Sequence, residues 1–302
     1  MGYVGPTRFK PDALKHYGAF TAAAQDYVAN LSQVQRRGLR EKPLDWRAGH
    51  PCYFTDMYQL LNALRKMELS PQSRIVEVGA GAGWATEILA SLLYRVDCVE
   101  PAASMIEVAK ARVHSHLEHH GVPGLAANVT WQCATMEDCD LPEGEIDAVL
   151  FFESFHHVVD EAKALDKAWA ALRPGGWLMI VGDANWIPGN AAQEAEWTAE
   201  MNAFGTLESP LTHDYMMWLL RDRGFSEVTR HHAVNTLVPT EAEYQPIRTV
   251  VDLDATYYNL VSARKRVAGA GDGMSPGLGP VATPAPTSLA ALIWRALKRR
   301  LF

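Results

Sequence analysis

The chain has 302 residues, of which 48% are hydrophobic and 21% are charged, and its formal net charge is −7. These proportions are those of a globular protein, so they exclude a chain that is disordered or collagen-like throughout. The acidic balance argues against nucleic acid as a partner. The length allows about two domains, or one large α/β domain with appendages.

The cysteine pattern and the first residues bear on the cellular compartment. Four cysteines without a C-x-x-C pair favour reduced thiols in the cytoplasm. The start of the chain lacks the apolar stretch of a signal peptide, and no run of about eighteen apolar residues is present. We therefore expect a cytoplasmic protein without a membrane-spanning helix.

Residues 1–70 are expected to form an N-terminal helical cap. Proline and aspartate at positions 11 and 12 can open a helix that continues to about residue 31. A second helix, over 55–68, has Thr55 as a candidate N-cap and apolar residues at helical spacing. Between the two helices, residues 42–54 form an irregular, aromatic stretch.

From residue 74 onwards, short apolar strands alternate with helices. The strands are expected at 74–78, 96–99, 129–133, 148–152, 177–181, 225–231 and 257–263, and the helices at 85–93, 104–117, 162–172 and 212–223. This alternation is typical of βαβ units. It predicts an α/β domain over residues 71–267 with a doubly wound, mainly parallel, seven-stranded sheet.

Two insertions, 184–211 and 233–255, interrupt this alternation and could cover a site. Residues 268–287 are rich in glycine, proline and alanine, and are expected to form a flexible linker. The last segment, 288–302, is predicted to be a basic amphipathic helix, because apolar residues and four basic residues fall on different faces. It could lie on an anionic membrane surface, or dock on the acidic body or on a second subunit.

The most informative stretch is VEVGAGAGW, residues 76–84. An apolar strand carrying Glu77 runs into Gly79, Gly81 and Gly83, and glycines here permit close backbone approach to a ligand. The stretch is not a dinucleotide fingerprint, because Trp84 stands where the third glycine should be. Glu77 suits a cationic or hydrogen-bond-donating part of a ligand, although a tight turn without a ligand is the alternative.

Acidic and small residues follow the next strands. Glu100, at the end of the second strand and followed by Pro101, is placed to accept hydrogen bonds from both ribose hydroxyls. Thr135, Met136 and Glu137 follow the third strand and could border an adenine ring. A solvated acid and an ordinary core methionine are the alternatives.

Together these motifs resemble the class I S-adenosylmethionine-dependent methyltransferases, over about residues 74–265. The resemblance rests on VEVGAGAG, the acid of the second strand, ATMED, IDAVLFFESFHH and LRPGGWLMI. It implies a Rossmann-like fold and S-adenosylmethionine as cofactor. The residues that it implies for cofactor binding are Glu77, Gly79, Gly81, Gly83, Glu100, Pro101, Thr135, Met136, Glu137 and Phe152. Many relatives carry an aspartate where this chain has Ala134 and Thr135.

Histidines follow the fourth strand, where ligands of a doubly wound sheet bind. Methyl transfer to an alcohol benefits from a base that titrates near pH 7, because the hydroxyl proton must leave. His156 or His157 is the candidate base, and Asp183 could orient one of the two imidazoles. The sequence resembles small-molecule and sugar O-methyltransferases, which show an E-S-x-H-H stretch and an aspartate after strand five. A purely structural role for these histidines is the alternative, and nothing in the sequence calls for a catalytic metal.

We expect O-methylation of a sugar, a glycan precursor or a hydroxylated small metabolite. Tyr53, Trp186 and His213 are candidate acceptor-binding residues. One rival function is C- or N-methylation of a lipid, quinone or polyketide. A second is a non-catalytic binding protein on the same fold. The sequence leaves the acceptor, the methylated atom and the oligomeric state open.

Overall fold

The computed structural model describes residues 2–9, 28–29, 31–41, 53–231 and 260–267. Most of the helix predicted over 12–31 lies outside these ranges. So do most of the 42–54 stretch, the 233–255 insertion, the 268–287 linker and the 288–302 tail. No helix within the described ranges is both long enough and apolar enough to cross a bilayer.

Seven strands form one sheet in the order β3-β2-β1-β4-β5-β7-β6. They are β1 (Arg74–Val78), β2 (Arg95–Val99), β3 (Val129–Gln132), β4 (Ile146–Phe152), β5 (Leu172–Val181), β6 (Phe225–His231) and β7 (Leu260–Lys265). The first five run parallel, whereas β7 lies antiparallel between β5 and β6. The predicted seven-stranded, mainly parallel, Rossmann-like sheet is confirmed.

Helices flank the sheet. They are α1 (Gln33–Glu41), α2 (Tyr53–Met67), α3 (Trp84–Ser91), α4 (Ala103–His119), α5 (Glu161–Ala171), α6 (Ala191–Phe204) and α7 (His213–Asp222). The sequence analysis did not predict α6, which lies inside the 184–211 insertion. Its apolar residues are not gathered on one face, so periodicity gave no signal. Its start has a local cause, because the Asn190 side chain accepts a hydrogen bond from the Gln193 backbone N–H.

The boundary between α5 and β5 differs from the prediction. The helix expected to reach residue 172 ends at Ala171, and β5 begins at Leu172 rather than at Trp177. Leu172 pairs with Ile146, and Trp177 pairs with Ala148. The intervening Arg-Pro-Gly-Gly residues therefore form an irregularity within the strand. From their glycines and proline, the sequence analysis had predicted that the helix stops here and that the strand begins only at Trp177.

The core has two layers, one on each face of the sheet. In β1, Ile75 packs on one face, and Val76 and Val78 on the other, so both faces are covered. Side chains of α2 and α3 pack on the first face, and side chains of α5 and α7 on the second. This double burial explains why the parallel strands are continuous apolar runs.

The carboxyl ends of the central strands meet at one edge of the sheet. The Gly79 N–H, just after β1, donates to the Val99 carbonyl at the end of β2 over 2.8 Å. The Glu153 N–H, just after β4, donates to the Val181 carbonyl at the end of β5 over 2.9 Å. Residues that follow these strands are thereby brought together, as the doubly wound topology predicts.

Candidate active site

A cavity of about 430 Å³ opens at this edge of the sheet. Nine of the residues predicted to bind cofactor or to act in catalysis line it: Gly79, Gly81, Glu100, Pro101, Thr135, Met136, Glu137, Phe152 and His157. Six other predicted residues of the described part of the chain do not line it: Glu77, Gly83, His156, Asp183, Trp186 and His213. The cavity is bordered mainly by the loops that follow β1, β2, β3 and β4.

The loop after β1 requires glycine for two reasons. Gly79 has φ +71°, and a Cβ placed on it would lie 2.5 Å from the Cβ of Ser154. The Ser154 hydroxyl in turn donates to the Val78 carbonyl over 2.6 Å, which holds the two loops together. Gly83 has φ +79°, and its Cβ would lie 2.9 Å from the Cβ of Ala109, so this glycine permits close packing of α3 on α4.

Glu100 is fixed by the backbone around the cavity. One carboxylate oxygen accepts from the Gly81 N–H over 3.0 Å, and the other from the Ala102 N–H over 2.9 Å. Burial raises the pKa of Glu100, and these two backbone hydrogen bonds oppose the rise. The carboxylate is thus oriented across the mouth of the glycine loop, where the second-strand acid was expected.

Glu77 lies beneath the glycine loop rather than in the cavity. Its side chain is buried, and one carboxylate oxygen accepts a hydrogen bond from the Thr86 hydroxyl over 2.7 Å. Burial raises its pKa to about 7, although the Thr86 hydrogen bond opposes that rise. In this structure Glu77 connects β1 to α3, and the predicted contact with a ligand head group stays a prediction.

The residues after β3 have distinct environments. Met136 is buried in the core and also borders the cavity, and its predicted contact with an adenine ring stays a prediction. Glu137 accepts from the backbone N–H groups of Val159 over 2.9 Å and Asp160 over 3.1 Å. Its carboxylate therefore fixes the loop that follows the histidine pair, a function that the sequence analysis did not predict.

His156 is buried between two carboxylates. Its Nδ1 lies 2.6 Å from Oδ1 of Asp183, and its Nε2 lies 3.3 Å from Oε2 of Glu208. Burial alone would lower the pKa of His156, but Asp183 and Glu208 together raise it well above the usual 6.5. The two carboxylates therefore favour the protonated form of His156, and Asp183 orients its Nδ1.

His157 has a different environment, although the two imidazole rings are only 3.9 Å apart. Its Nδ1 lies 2.6 Å from the carbonyl oxygen of Leu207, so this nitrogen carries the proton and the neutral ring keeps its lone pair on Nε2. Burial and the charge of His156 lower the pKa of His157. Its side chain borders the cavity and retains 43% of its exposure.

Sequence reasoning missed the segment between α6 and α7, which supplies Leu207 and Glu208. Burial alone would raise the pKa of Glu208, whereas the imidazoles of His157 and His156 and the Thr206 hydroxyl hold it at about 2. Glu200, on α6, also borders the cavity. The only signal for these residues was their position in the insertion after strand five.

Two of the three predicted acceptor-binding residues, Trp186 and His213, do not line this cavity. Trp186 donates from Nε1 to Glu194 over 3.0 Å and packs near Phe9. His213 is the first residue of α7 and does not line the cavity. Tyr53 is the first residue of α2, and its side chain lies outside the described part of the chain.

One cluster among the described residues has the composition of a metal site. His156, His157 and Glu208 each offer a ligand atom, and these atoms lie within 4.8 Å of one another. The Nδ1 atoms of both histidines already contact Asp183 and the Leu207 carbonyl. Both nitrogens of His156 have carboxylate partners, so the contacts in place are those of a proton-binding network.

Comparison with known proteins gives matches over the central part of the chain. Residues 76–180 match the model of a methyltransferase domain family. A ubiquinone biosynthesis O-methyltransferase of Bradyrhizobium sp. is 31% identical over 59% of this chain and 66% of its own length. One of Nitrobacter winogradskyi is 33% identical over 35% of this chain and 36% of its own length. The chain thus spans a third to just under two thirds of these relatives.

Solved structures share the fold at low sequence identity. A putative methyltransferase of Haloferax volcanii, solved with the Trm112 activator, has a TM-score of 0.57 at 15% identity, covering 81% of this chain and 98% of that one. Geranyl diphosphate C-methyltransferase of Streptomyces coelicolor, solved with S-adenosylhomocysteine, has a TM-score of 0.55 at 14% identity, covering 82% and 97%. The motifs, the sheet and these matches agree, and residues 76–180 form a methyltransferase domain on the class I fold.

Proposed function

We propose that the protein is an O-methyltransferase in which His157 takes the proton from an acceptor hydroxyl. The observation that carries this proposal is the contrast between the two histidines. His156 is held as a cation by Asp183 and Glu208, whereas the pKa of His157 is lowered and its ring borders the cavity. Only a neutral imidazole can accept a proton, so His157 is the base.

The residues around the glycine loop fit S-adenosylmethionine. Gly79 and Gly81 carry no side chain, so the backbone of this loop can approach a ligand closely, and Glu100 presents an oriented carboxylate at the cavity. Thr135, Met136 and Phe152 border the same space and suit an adenosyl group. When bound, this cofactor supplies an activated methyl group, so the protein needs chiefly to align the acceptor with it.

The chain's own residues then manage the proton. The Leu207 carbonyl fixes the proton of His157 on Nδ1, which leaves Nε2 to accept the hydroxyl proton of the acceptor. The cationic His156 beside it lowers the pKa of His157 and keeps it neutral near pH 7. Glu208 and Asp183 balance the charge of His156, so the buried cation is paired on both sides.

Two features favour a hydroxylated aromatic acceptor over a sugar. The curated relatives that match are named ubiquinone biosynthesis O-methyltransferases. The cavity is also bordered by Met105 and Trp84, which offer apolar surface for a ring. The carboxylates of Glu153, Glu200 and Glu208 border it as well and can accept hydrogen bonds from the hydroxyl groups of either class of acceptor. C- or N-methylation, with histidines that only position the acceptor, is the rival.

The acceptor class is tested with labelled S-adenosylmethionine and three probes: an alkyl catechol, a methyl hexoside and an aromatic amine. We expect label in the catechol as a methyl ether, identified by mass spectrometry. Label in the hexoside would move the acceptor class to sugars. Label only on nitrogen or carbon would overturn O-methylation.

The tail predicted over 288–302 supports a second, separate proposal, contact with an anionic membrane surface. Its four basic residues would each add about 1 kcal/mol near such a surface. The test is sedimentation with vesicles of neutral or anionic lipid, with and without replacement of Arg295, Lys298, Arg299 and Arg300 by glutamine. Equal sedimentation of both proteins with anionic vesicles would overturn it.

A further inference from the structure

We propose that Arg8 is a positioning residue for the histidine pair. Its guanidinium joins the loop that follows His157 to the segment that carries Leu207 and Glu208. The proposal deepens the assignment of His157 as base and therefore rests on the proposed function. Its principal test, however, needs neither acceptor nor turnover.

Arg8 is almost completely buried, with 3% of its surface exposed. On one side it holds the loop after the histidines. Nη2 donates to the Val158 carbonyl over 2.9 Å, and Nη1 donates to the Val159 carbonyl over 3.2 Å. These are the two residues that directly follow His157, so the arginine fixes the backbone next to the proposed base.

On the other side Arg8 holds the residue that directly follows Glu208. Nε donates to the Ser209 hydroxyl over 2.9 Å, and Nη2 donates to the Ser209 carbonyl over 3.0 Å. One planar group thus joins the segment that carries the two imidazoles to the segment that contacts them. Lysine cannot reproduce these contacts, because an ammonium group is a point donor without the fork of a guanidinium.

The charge of Arg8 is compensated within the same network. Nη1 lies 3.0 Å from Oε2 of Glu161, at the start of α5, and the other oxygen of Glu161 accepts from the Tyr215 hydroxyl over 2.9 Å. The pairing makes the burial of a cation tolerable. It also means that neutralising Glu161 would weaken the hold on Arg8 without removing the arginine.

The backbone around Arg8 is fixed against the same segment. The Phe9 N–H donates to the Pro210 carbonyl over 2.9 Å, and the Thr7 carbonyl accepts from the Thr212 N–H over 2.8 Å. Arg8 itself forms an antiparallel bridge with Leu211. The guanidinium therefore projects from an anchored backbone.

The contact of His157 with Leu207 and that of His156 with Glu208 both cross from one segment to the other. If the segments separate, the Leu207 carbonyl no longer fixes the proton of His157 on Nδ1. The neutral ring can then take up its other tautomer, in which Nε2 carries the proton and has no lone pair to accept one. Donor binding would change little, because the glycine loop and Glu100 have no contact with Arg8 among the described interactions.

The test is ¹⁵N NMR of imidazole-labelled protein without acceptor, under mildly alkaline conditions, where the nitrogen shifts distinguish the two neutral tautomers of an imidazole. The parent should show His157 with its proton on Nδ1. In Arg8→Lys we expect the tautomer with its proton on Nε2 to appear as well, while affinity for S-adenosylhomocysteine stays within about twofold of the parent. The matched control is Arg74→Lys, which disturbs a 2.6 Å ion pair with Asp97 at the opposite ends of the strands and should leave the tautomer of His157 unchanged.

An unchanged tautomer of His157 in folded Arg8→Lys would overturn the proposal, and so would an equal change in Arg74→Lys. If Arg8→Lys does not fold, Glu161→Gln decides by the same criteria, with a smaller share of the second tautomer expected. If the proposed function is wrong, turnover will be full without His157, and the tautomer of His157 can still be interpreted.

Discussion

The Nδ1 atom of His157 lies 2.6 Å from the carbonyl oxygen of Leu207, fifty positions further along the chain. A carbonyl oxygen can only accept, so this contact assigns the proton of a neutral ring to Nδ1 and its lone pair to Nε2. The neighbouring His156 lies between two carboxylates, which raise its pKa and favour its protonated form. Two adjacent histidines thereby have separate roles, and several consequences can be measured.

Replacement of His157 by glutamine should reduce kcat by about 10²- to 10⁴-fold, the usual contribution of a positioned general base. Affinity for S-adenosylhomocysteine should stay within about twofold, because the glycine loop is untouched. The measurement pairs steady-state kinetics with calorimetry. His119→Gln, an exposed histidine on α4, is the control and should keep parental kinetics. Parental kcat in His157→Gln would remove the base assignment.

The pH dependence should identify the base among the two histidines. A base works when deprotonated, so kcat/KM falls as the pH drops through its pKa. Burial and His156 lower the pKa of His157 below 6.5, so activity should be level from about pH 7 to 8 and decline only under acidic conditions. If His156 were the base, its raised pKa would make activity climb through the alkaline range instead.

The His156–Asp183 pair should stabilise the fold in a pH-dependent way. Burial opposes protonation of His156, but Asp183 and Glu208 raise its folded-state pKa above the unfolded value of 6.5. The stabilisation is therefore full below the unfolded pKa and is lost as the pH rises through the folded pKa. Asp183→Asn should lower the free energy of unfolding by about 3 kcal/mol at pH 6 and by less at alkaline pH, measured with denaturant.

The control for that experiment is Asp138→Asn. Asp138 pairs with Lys163 over 2.8 Å, but both side chains are exposed. Such a surface pair contributes about 0 to 1 kcal/mol, so the variant should unfold almost as the parent does. Equal losses in the two variants would show that the buried pair has no special role.

Gly79 and Gly144 have the same φ of +71°, so alanine substitutions at the two positions distinguish the effect of backbone strain from that of a steric clash. A Cβ at Gly79 would lie 2.5 Å from the Cβ of Ser154, whereas one at Gly144 would meet nothing within 4 Å. Gly144→Ala should cost about 1 kcal/mol of stability and leave donor affinity unchanged. Gly79→Ala should cost more and weaken S-adenosylhomocysteine binding by about tenfold or more, because the loop must move. Equal affinities in calorimetry would contradict this account of the loop.

Burial of Glu77 should make the protein less stable as the pH rises. Its folded-state pKa of about 7 exceeds the unfolded value of 4.5, so the native state binds the proton more tightly. The stability that this tighter proton binding contributes is full below pH 4.5 and is lost as the pH rises to about 7. Glu77→Gln should therefore raise Tm at pH 8, with the gain shrinking towards pH 5. A gain that does not depend on pH would contradict the burial of an ionisable carboxyl.

Local geometry explains which parts of the site could be predicted from the sequence. The loop at Gly79 and the carboxylate of Glu100 lie within a few residues of strands β1 and β2, and the strand–turn–helix pattern determines their place. The topology then brings the ends of β4 and β5 to the same edge. His156, His157 and Asp183 could therefore be placed together because each follows directly on a parallel strand.

The remaining residues could not be predicted, because their contacts join distant parts of the chain. Leu207 and Glu208 reach the histidines from a segment between two helices, one of which had no clear periodicity. Arg8 contacts Ser209, which lies 201 positions away. Trp186 and His213 had the composition of binding residues, yet their side chains lie away from the cavity, since composition carries no information on direction.

The antiparallel strand β7 lies between β5 and β6, so β6 joins the sheet only through a strand that follows it in the chain. During synthesis on the ribosome, β6 therefore emerges before β7, its only neighbour in the sheet. The edge of β5 that pairs with β7 is also unpaired until β7 has been made. Both edges are open to mispairing during synthesis. A slow or paused translation just before residue 260 should consequently favour aggregation of the nascent protein.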